Sequence, residues 1–150
     1  MRTCRLHRPY KILVVVLIPF LGSCERDTTI TLRGEAPPSF VLSGSGRLEV
    51  LAIQGQKVRD SPKLAASTVW EIRAKAGPFS GTKVEWLGSI TYGEVPDGYV
   101  QVYPEHGEAP PLLEGERYYA SFDTTGANGA HIYFTIREGK AVELSPTSER

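Results

Sequence analysis

Apolar residues recur at every second position through most of this chain, and this period constrains the fold more than any other feature. A period of two is that of a β-strand with one buried face, and the segments concerned are rich in β-branched and aromatic residues. They are SFVL (39–42), RLEVLAI (47–53), TVWEIRA (68–74), EWLGSITY (85–92), YVQVY (99–103), RYYASFD (117–123), HIYFTIR (131–137) and KAVEL (140–144). They predict about eight strands and no helix.

The segments between the predicted strands are made of turn-forming residues. SGSG, VPDG, TTGANG and EG are short and contain glycine, whereas QGQKVRDSPK and PEHGEAPPLLEG are longer and contain proline. Short, closely spaced strands joined in this way favour an antiparallel arrangement. The predicted fold class is therefore all-β, an antiparallel Greek-key-type β-sandwich of about eight strands after an N-terminal signal peptide. A small barrel is the alternative.

The start of the chain has the order of a secretory signal. MRTCRLHRPYK (1–11) carries four cationic residues and no acid, and ILVVVLIPFLG (12–22) follows it. The apolar stretch is shorter than the ~20 residues of a membrane-spanning helix and is interrupted by Pro19. A cationic start, a short apolar segment and small residues at its end are typical of an export signal.

Leu21, Gly22, Ser23 and Cys24 close this segment. They resemble the lipobox of bacterial lipoproteins, in which a branched apolar residue and two small residues precede an obligatory cysteine. The resemblance covers residues 1–24 and implies cleavage before Cys24, a diacylglycerol on its thiol and a further fatty acid such as palmitate on the new amino terminus. Two or more acyl chains anchor a protein stably in a membrane. An ordinary secretory signal and an uncleaved N-terminal anchor are the alternatives.

Cysteine usage and the residue after Cys24 fit this interpretation. The chain has two cysteines, and the one other than Cys24 is Cys4, in the segment to be removed. The mature chain therefore has no thiol left to pair and folds without disulfides. In the enterobacterial sorting habit an aspartate after the lipidated cysteine retains a lipoprotein in the inner membrane, whereas this chain has Glu25. The predicted location is the cell envelope, at the outer membrane and facing the periplasm.

The chain divides into a signal peptide (1–23), a lipidated tether (24–36) with one short strand at Thr29 to Leu32, a β-sandwich domain (37–145) and a flexible tail (146–150). Loss of the four cationic residues of the signal leaves 13 Lys and Arg against 17 Asp and Glu, a net charge of −4. A mildly acidic domain does not have the basic surface that nucleic-acid binding requires. No nucleic-acid partner is predicted.

One local motif narrows the choice of fold. Leu113, Gly115 and Tyr118 form L-x-G-x-x-Y before a predicted strand, and Trp70 lies in a middle strand. The motif resembles the tyrosine corner of Greek-key sandwiches, and with Trp70 the pattern is similar to a fibronectin type III or immunoglobulin-like domain over roughly 37–145, without a cysteine pair. The resemblance implies that the Tyr118 hydroxyl returns to the backbone a few residues upstream.

Motifs for catalysis or metal binding are weak. GPFSGTK (77–83) leads into a strand rather than a helix, so a turn is predicted there and not a phosphate loop. DTTGANG (123–129) lacks the closing glutamate of an EF-hand and is predicted to be a hairpin turn. No cofactor and no metal are predicted. Trp70 and Trp86 both fall on alternating apolar positions and are expected in the core.

The candidate binding face lies on the two strands that flank this hairpin turn. If Phe122 faces Ile132, then Asp123 faces His131, Ser121 faces Tyr133 and Tyr119 faces Thr135, all on the side opposite the core. The face comprises Tyr119, Ser121, Asp123, His131 and Tyr133. A polar, aromatic face of this kind is typical both of a binding site on a sheet and of an ordinary solvated hairpin.

The function predicted from the sequence is that of a lipid-anchored envelope lipoprotein with a non-catalytic binding or structural β-sandwich. Its partners would be the membrane, through the anchor on Cys24, and an envelope protein. One alternative is a small-ligand receptor or hydrolase that uses the face around Asp123 and His131. A second alternative is an accessory subunit that docks on a larger envelope complex through a sheet edge.

Overall fold

The computed structural model of the chain describes residues 27–56, 67–76 and 80–145. These residues form ten strands and one helical turn. They are β1 (Thr28–Arg33), β2 (Ser39–Gly44), β3 (Arg47–Gln56), β4 (Ser67–Ala74), β5 (Thr82–Lys83), α1 (Val84–Leu87), β6 (Ser89–Thr91), β7 (Tyr99–Tyr103), β8 (Arg117–Thr125), β9 (Ala130–Arg137) and β10 (Lys140–Leu144). Among the described residues no helix is long and apolar enough to span a membrane.

The predicted signal peptide (1–23), the lipidation site Cys24 and the tail (146–150) lie outside the described residues. Within the predicted tether, β1 is a full strand that pairs with β2 over six positions. This strand contains the short strand expected at Thr29 to Leu32. The first described strand of the sandwich thus lies within the segment that was predicted to be a tether.

The strands form two antiparallel sheets. One has the order β1-β2-β6, and the other has the order β10-β9-β8-β3-β4-β7 with β5 paired to β3. The four neighbours β8-β3-β4-β7 follow the Greek-key order, in which the last strand returns beside the first, and the chain visits β5, α1 and β6 between β4 and β7. The predicted all-β antiparallel sandwich is confirmed, and the described residues form ten strands where about eight were predicted.

Aromatic side chains join the two sheets in the core. Phe40 of β2 meets Phe122 of β8 and Phe134 of β9 edge-on, with ring centroids 5.5 and 5.8 Å apart. Along β8 the residues Tyr118, Ala120 and Phe122 are buried, and the residues between them are more exposed. The predicted period of two and its phase are therefore confirmed for this strand.

The tyrosine-corner hydrogen bond predicted from L-x-G-x-x-Y is present. The backbone N–H of Leu113 donates to the hydroxyl oxygen of Tyr118 at 2.8 Å. Gly115 has φ +76°, which glycine adopts without strain, and its N–H donates to the carbonyl of Ile136 at 2.9 Å. The loop before β8 is thus tied both to the Tyr118 side chain and to β9.

The two tryptophans have opposite environments. Trp70 is fully buried, and its Nε1–H donates to Oε1 of Gln101 at 3.0 Å. Trp86 is 68% exposed, so its predicted place in the core is wrong. The reason is that Val84–Leu87 forms a helical turn, which ends the alternation of a strand. The Nζ of Lys83 lies 4.7 Å from the centroid of the Trp86 ring.

The two ends of the sandwich are called here proximal, where β1 starts, and distal, where β1 ends. The proximal end contains the start of β1 and the turns 45–46 and 126–129, and the distal end contains the connections 34–38, 104–116 and 138–139. At ~3.4 Å per residue, β1 covers about 17 Å from one end to the other. Helix α1 lies at the proximal end, because the N–H of Val84 donates to the carbonyl of Gly46 at 3.0 Å.

Candidate functional site

The register between β8 and β9 differs by two residues from the predicted one. Phe122 lies opposite Ala130, not opposite Ile132, and Asp123 pairs with Val50 of β3 instead of with a residue of β9. The turn is centred on Gly126, whose φ of +77° suits a tight reversal. Because the shift is an even number of residues, it leaves each side chain on its predicted face.

The corrected register brings four of the five predicted face residues into two facing pairs. Ser121 lies opposite His131, and Tyr119 lies opposite Tyr133. Thr135, which was expected opposite Tyr119, is buried, and its hydroxyl donates to the carbonyl of Glu116 at 2.7 Å. The pairing of Asp123 with His131 is therefore wrong, whereas the other four residues share one surface.

Three rings on this surface form a cluster, called here the aromatic patch: Tyr119, His131 and Tyr133. The ring of Tyr119 lies 4.9 Å from that of Tyr133 and 5.6 Å from that of His131, and the last two are 6.0 Å apart. Burial raises the pKa of Tyr119, with smaller contributions from Tyr133 and Asp123. The patch is thus a packed aromatic surface.

The aromatic patch does not have the geometry of a hydrolase site. No hydrogen bond joins Ser121 to His131 among the described residues, and the register places Asp123 opposite Val50 of β3 and not opposite His131. Two cavities formed by the described residues, one at each end of the sandwich, are lined by none of the five predicted face residues. A nucleophile on an open strand face has no group to stabilise an oxyanion. The patch can act as a contact surface.

A cleft of about 750 Å³ opens at the distal end of the sandwich. Its walls come from four separate parts of the chain: the β1–β2 connection, the segment after β6, the loop before β8 and the β9–β10 turn. The lining residues are Glu35, Ala36, Pro37, Pro38, Tyr92, Gly93, Glu94, Glu108, Ala109, Pro111, Leu112, Glu114, Ile136, Gly139 and Ala141. The volume lies within the range of small-molecule sites, ~300–1,000 Å³.

Hydrogen bonds hold the walls of the distal cleft in place. The hydroxyl of Tyr92 donates to the carbonyl of Pro110 at 2.6 Å, and the N–H of Tyr92 donates to the carbonyl of Pro38 at 2.9 Å. Burial raises the pKa of Tyr92 far above its ordinary value, so the hydroxyl remains a donor. Tyr92 therefore connects the two proline-containing walls.

Sequence reasoning from strand periods did not find this cleft, although the sequence contains a signal for it. The pentapeptide GEAPP occurs twice, at 34–38 and at 107–111. Both copies supply lining residues, Glu35 and Glu108 among them. The two copies are far apart in the chain, so that only the folded sandwich brings them to one cleft.

Comparisons with protein-family models, with characterised proteins and with solved structures find no match to this chain. The candidate sites are therefore interpreted from their own geometry. Among the described residues no group of three or more His, Cys, Asp and Glu side chains is arranged to hold a metal ion.

Proposed function

We propose that this chain is a lipid-anchored lipoprotein of the bacterial cell envelope whose β-sandwich is a non-catalytic binding module. The observation that carries the proposal is the spacing between the lipobox cysteine and the folded domain. Cys24 precedes the first strand residue, Thr28, by four residues, a reach of at most about 14 Å in an extended chain. A domain held this closely presents its proximal end to the lipid and its distal end to the periplasm.

The proximal end has side chains suited to a membrane surface. Trp86 is exposed there on α1, with the ammonium group of Lys83 above its ring. A second cavity, of about 470 Å³, is lined in part by Arg47, Lys83 and Glu85. Tryptophan and basic residues are enriched where proteins meet the headgroup region of a bilayer. These residues support an orientation in which α1 touches the lipid headgroups.

Strand order supports the resemblance to immunoglobulin-like and fibronectin type III domains. In the immunoglobulin fold the strands A, B and E share one sheet, and C, F and G share the other. The small sheet here has the order β1-β2-β6, and the larger sheet has β3, β8 and β9 as neighbours. β8 is the strand that carries Tyr118 and would correspond to F. Domains of this architecture bind many different partners, so that the fold alone names none.

An accessory subunit of a larger envelope complex is a second candidate, because β7 is an exposed sheet edge. It lies at one margin of the larger sheet, and Val100, Val102 and Tyr103 on it are between 41% and 47% exposed. An edge strand with apolar side chains can pair with a strand of another protein. Replacing Val100 and Val102 with lysine should abolish recovery of an envelope partner after crosslinking in intact cells, if this candidate is correct.

The anchor is tested by replacing the single sulfur on which it depends. Cys24→Ser should abolish metabolic labelling with palmitate and leave an unprocessed precursor, because the diacylglyceryl transfer has no thiol to modify and the later cleavage then has no thioether substrate. Cys4→Ser is the matched control and should be labelled and processed like the natural chain. Normal processing and membrane retention of the Cys24 variant would refute the lipoprotein proposal.

The orientation is tested by fluorescence, because the chain has two tryptophans and one of them is buried. The acylated protein is reconstituted into phosphatidylcholine vesicles with and without bromine on the acyl chains, which quenches nearby indoles. Trp86 should be quenched, and Trp86→Phe should remove the quenching while Trp70 still emits. Equal emission in the two kinds of vesicle, with the protein still bound to them, would reject the orientation but not the anchor.

A further inference from the structure

We infer that the distal cleft binds a small organic cation that has an apolar body. This inference deepens the proposed binding function by naming the site and the class of ligand. It depends on the shape, the lining and the charge of the cleft and not on the lipid anchor, so that the two can fail separately.

The two GEAPP segments give the cleft two similar walls. Glu35, Ala36 and Pro37 line it from the β1–β2 connection, and Glu108 and Ala109 line it from the loop before β8. Each copy thus contributes one carboxylate next to a small apolar surface. A ligand between the walls would meet an apolar contact and a negative charge from each side.

The rest of the lining completes an apolar site. Tyr92, Leu112 and Ile136 contribute aromatic and aliphatic surface, and no hydroxyl or amide side chain other than the Tyr92 hydroxyl is among the residues that line the cleft. That hydroxyl is already bonded to Pro110. Apart from the glutamate carboxylates, the lining side chains therefore offer few hydrogen-bonding groups to a ligand, whereas an apolar body can displace water from the walls.

The charge of the cleft has one sign. Glu35, Glu94, Glu108 and Glu114 line it, and no Lys, Arg or His belongs to the lining. The Glu114 carboxylate accepts hydrogen bonds from the N–H groups of the β9–β10 turn, whereas the other three carboxylates have no hydrogen bond or ion pair with another described residue. A concave surface with carboxylates and apolar walls concentrates cations, because low-dielectric walls focus the field.

Three probes separate the roles of charge and apolar contact. Benzyltrimethylammonium has a cation and a ring, phenylmethanesulfonate has a similar ring with an anion, and tetramethylammonium has the cation without the ring. Binding to the full acylated protein in a neutral detergent is measured by NMR titration. Benzyltrimethylammonium should bind at least tenfold more tightly than either of the other probes, and its affinity should fall as salt is raised.

Variants place the binding in the cleft. Glu35→Gln combined with Glu108→Gln removes one carboxylate from each GEAPP copy and should weaken benzyltrimethylammonium binding at least tenfold. Glu105→Gln is the matched control, because Glu105 is an exposed acid of the same loop outside the lining. The amide signals of Ala36 and Ala109 should shift during the titration.

Several outcomes would overturn the inference. They are equal binding of the cationic and anionic probes, unchanged binding in the double variant, and shifts confined to His131 and its neighbours, which would assign the cation to the aromatic patch. A lack of cation binding by a correctly acylated protein would reject the inference and leave the lipid anchor standing. Cation binding by a chain that is never acylated would support the inference and reject the lipid anchor.

Discussion

Removal of one hydroxyl group from the buried tyrosine of β8 should destabilise the domain measurably. Tyr118 is 4% exposed, and its hydroxyl oxygen is the acceptor for the N–H of Leu113. In Tyr118→Phe the ring remains and keeps its stacking on Phe134, at 5.3 Å between centroids. The substitution therefore removes one hydrogen bond and very little packing.

The size of the effect follows from the environment of the amide that loses its acceptor. A buried group left without a partner costs about 1–3 kcal/mol. Leu113 is 59% exposed, so water can reach part of this loop, and the lower half of that range, about 1–2 kcal/mol, is expected. With a urea m-value of about 2 kcal/mol/M, the unfolding midpoint should fall by roughly 0.5–1 M.

The neighbouring residue is an internal control. Tyr119 points to the opposite face, and its hydroxyl has no hydrogen-bond partner among the described residues. Tyr119→Phe should change the free energy of unfolding by no more than about 0.5 kcal/mol, as surface substitutions usually do. Both variants are compared with the natural sequence by urea denaturation at equal m-value. Equal midpoints for the two variants, or a larger fall for Tyr119→Phe, would refute the reasoning.

Two further predictions concern backbone geometry and alkaline pH. A Cβ at Gly81, where φ is +86°, would lie within 2.4 Å of a main-chain oxygen of β3. Gly107 has nearly the same φ, but a Cβ there would meet open space. Gly81→Ala should therefore lower the thermal midpoint more than Gly107→Ala. Similar falls of the thermal midpoint in the two variants would contradict this prediction, because they would show that β5 shifts to make room for the added Cβ. Burial raises the pKa of Tyr92, Tyr99 and Tyr118 above the ordinary value of about 10. The unfolded chain therefore releases these protons first, and stability should fall as the pH rises above about 10. A urea midpoint that is the same at pH 8 and pH 11 would contradict this.

The strands could be predicted from the sequence because burial on one face leaves a period of two. The same pattern does not distinguish registers that differ by two residues. Alternation in β8 and β9 is satisfied whether Phe122 faces Ile132 or Ala130, and the turn around Gly126 decides between them. The face could therefore be predicted, whereas the pairing of Asp123 with His131 could not.

The apolar period of the sequence could predict neither the exposure of Trp86 nor the distal cleft, for two different reasons. Val84–Leu87 has four residues, too few for the apolar pattern of a strand to differ from that of a helix. Gly88, with φ +64°, permits the sharp change of direction that ends the helical turn. The cleft is a property of tertiary structure, since its walls come from connections that are distant in sequence. Only the repeated GEAPP segments indicate it before folding.

The direction of β1 has a mechanical consequence. A load applied between Cys24 and the distal cleft runs along the axis of β1, at right angles to the hydrogen bonds between β1 and β2, so that these hydrogen bonds resist together. A load between Cys24 and the turn after Thr125 acts at the proximal end and peels the pairs apart one at a time. In an optical trap, a domain pulled between Cys24 and a handle at Glu108 should unfold at a higher force than a domain pulled between Cys24 and the turn after Thr125. If the proposed anchor holds Cys24 and a pull is applied to the distal cleft, the sandwich is therefore loaded in its stronger direction.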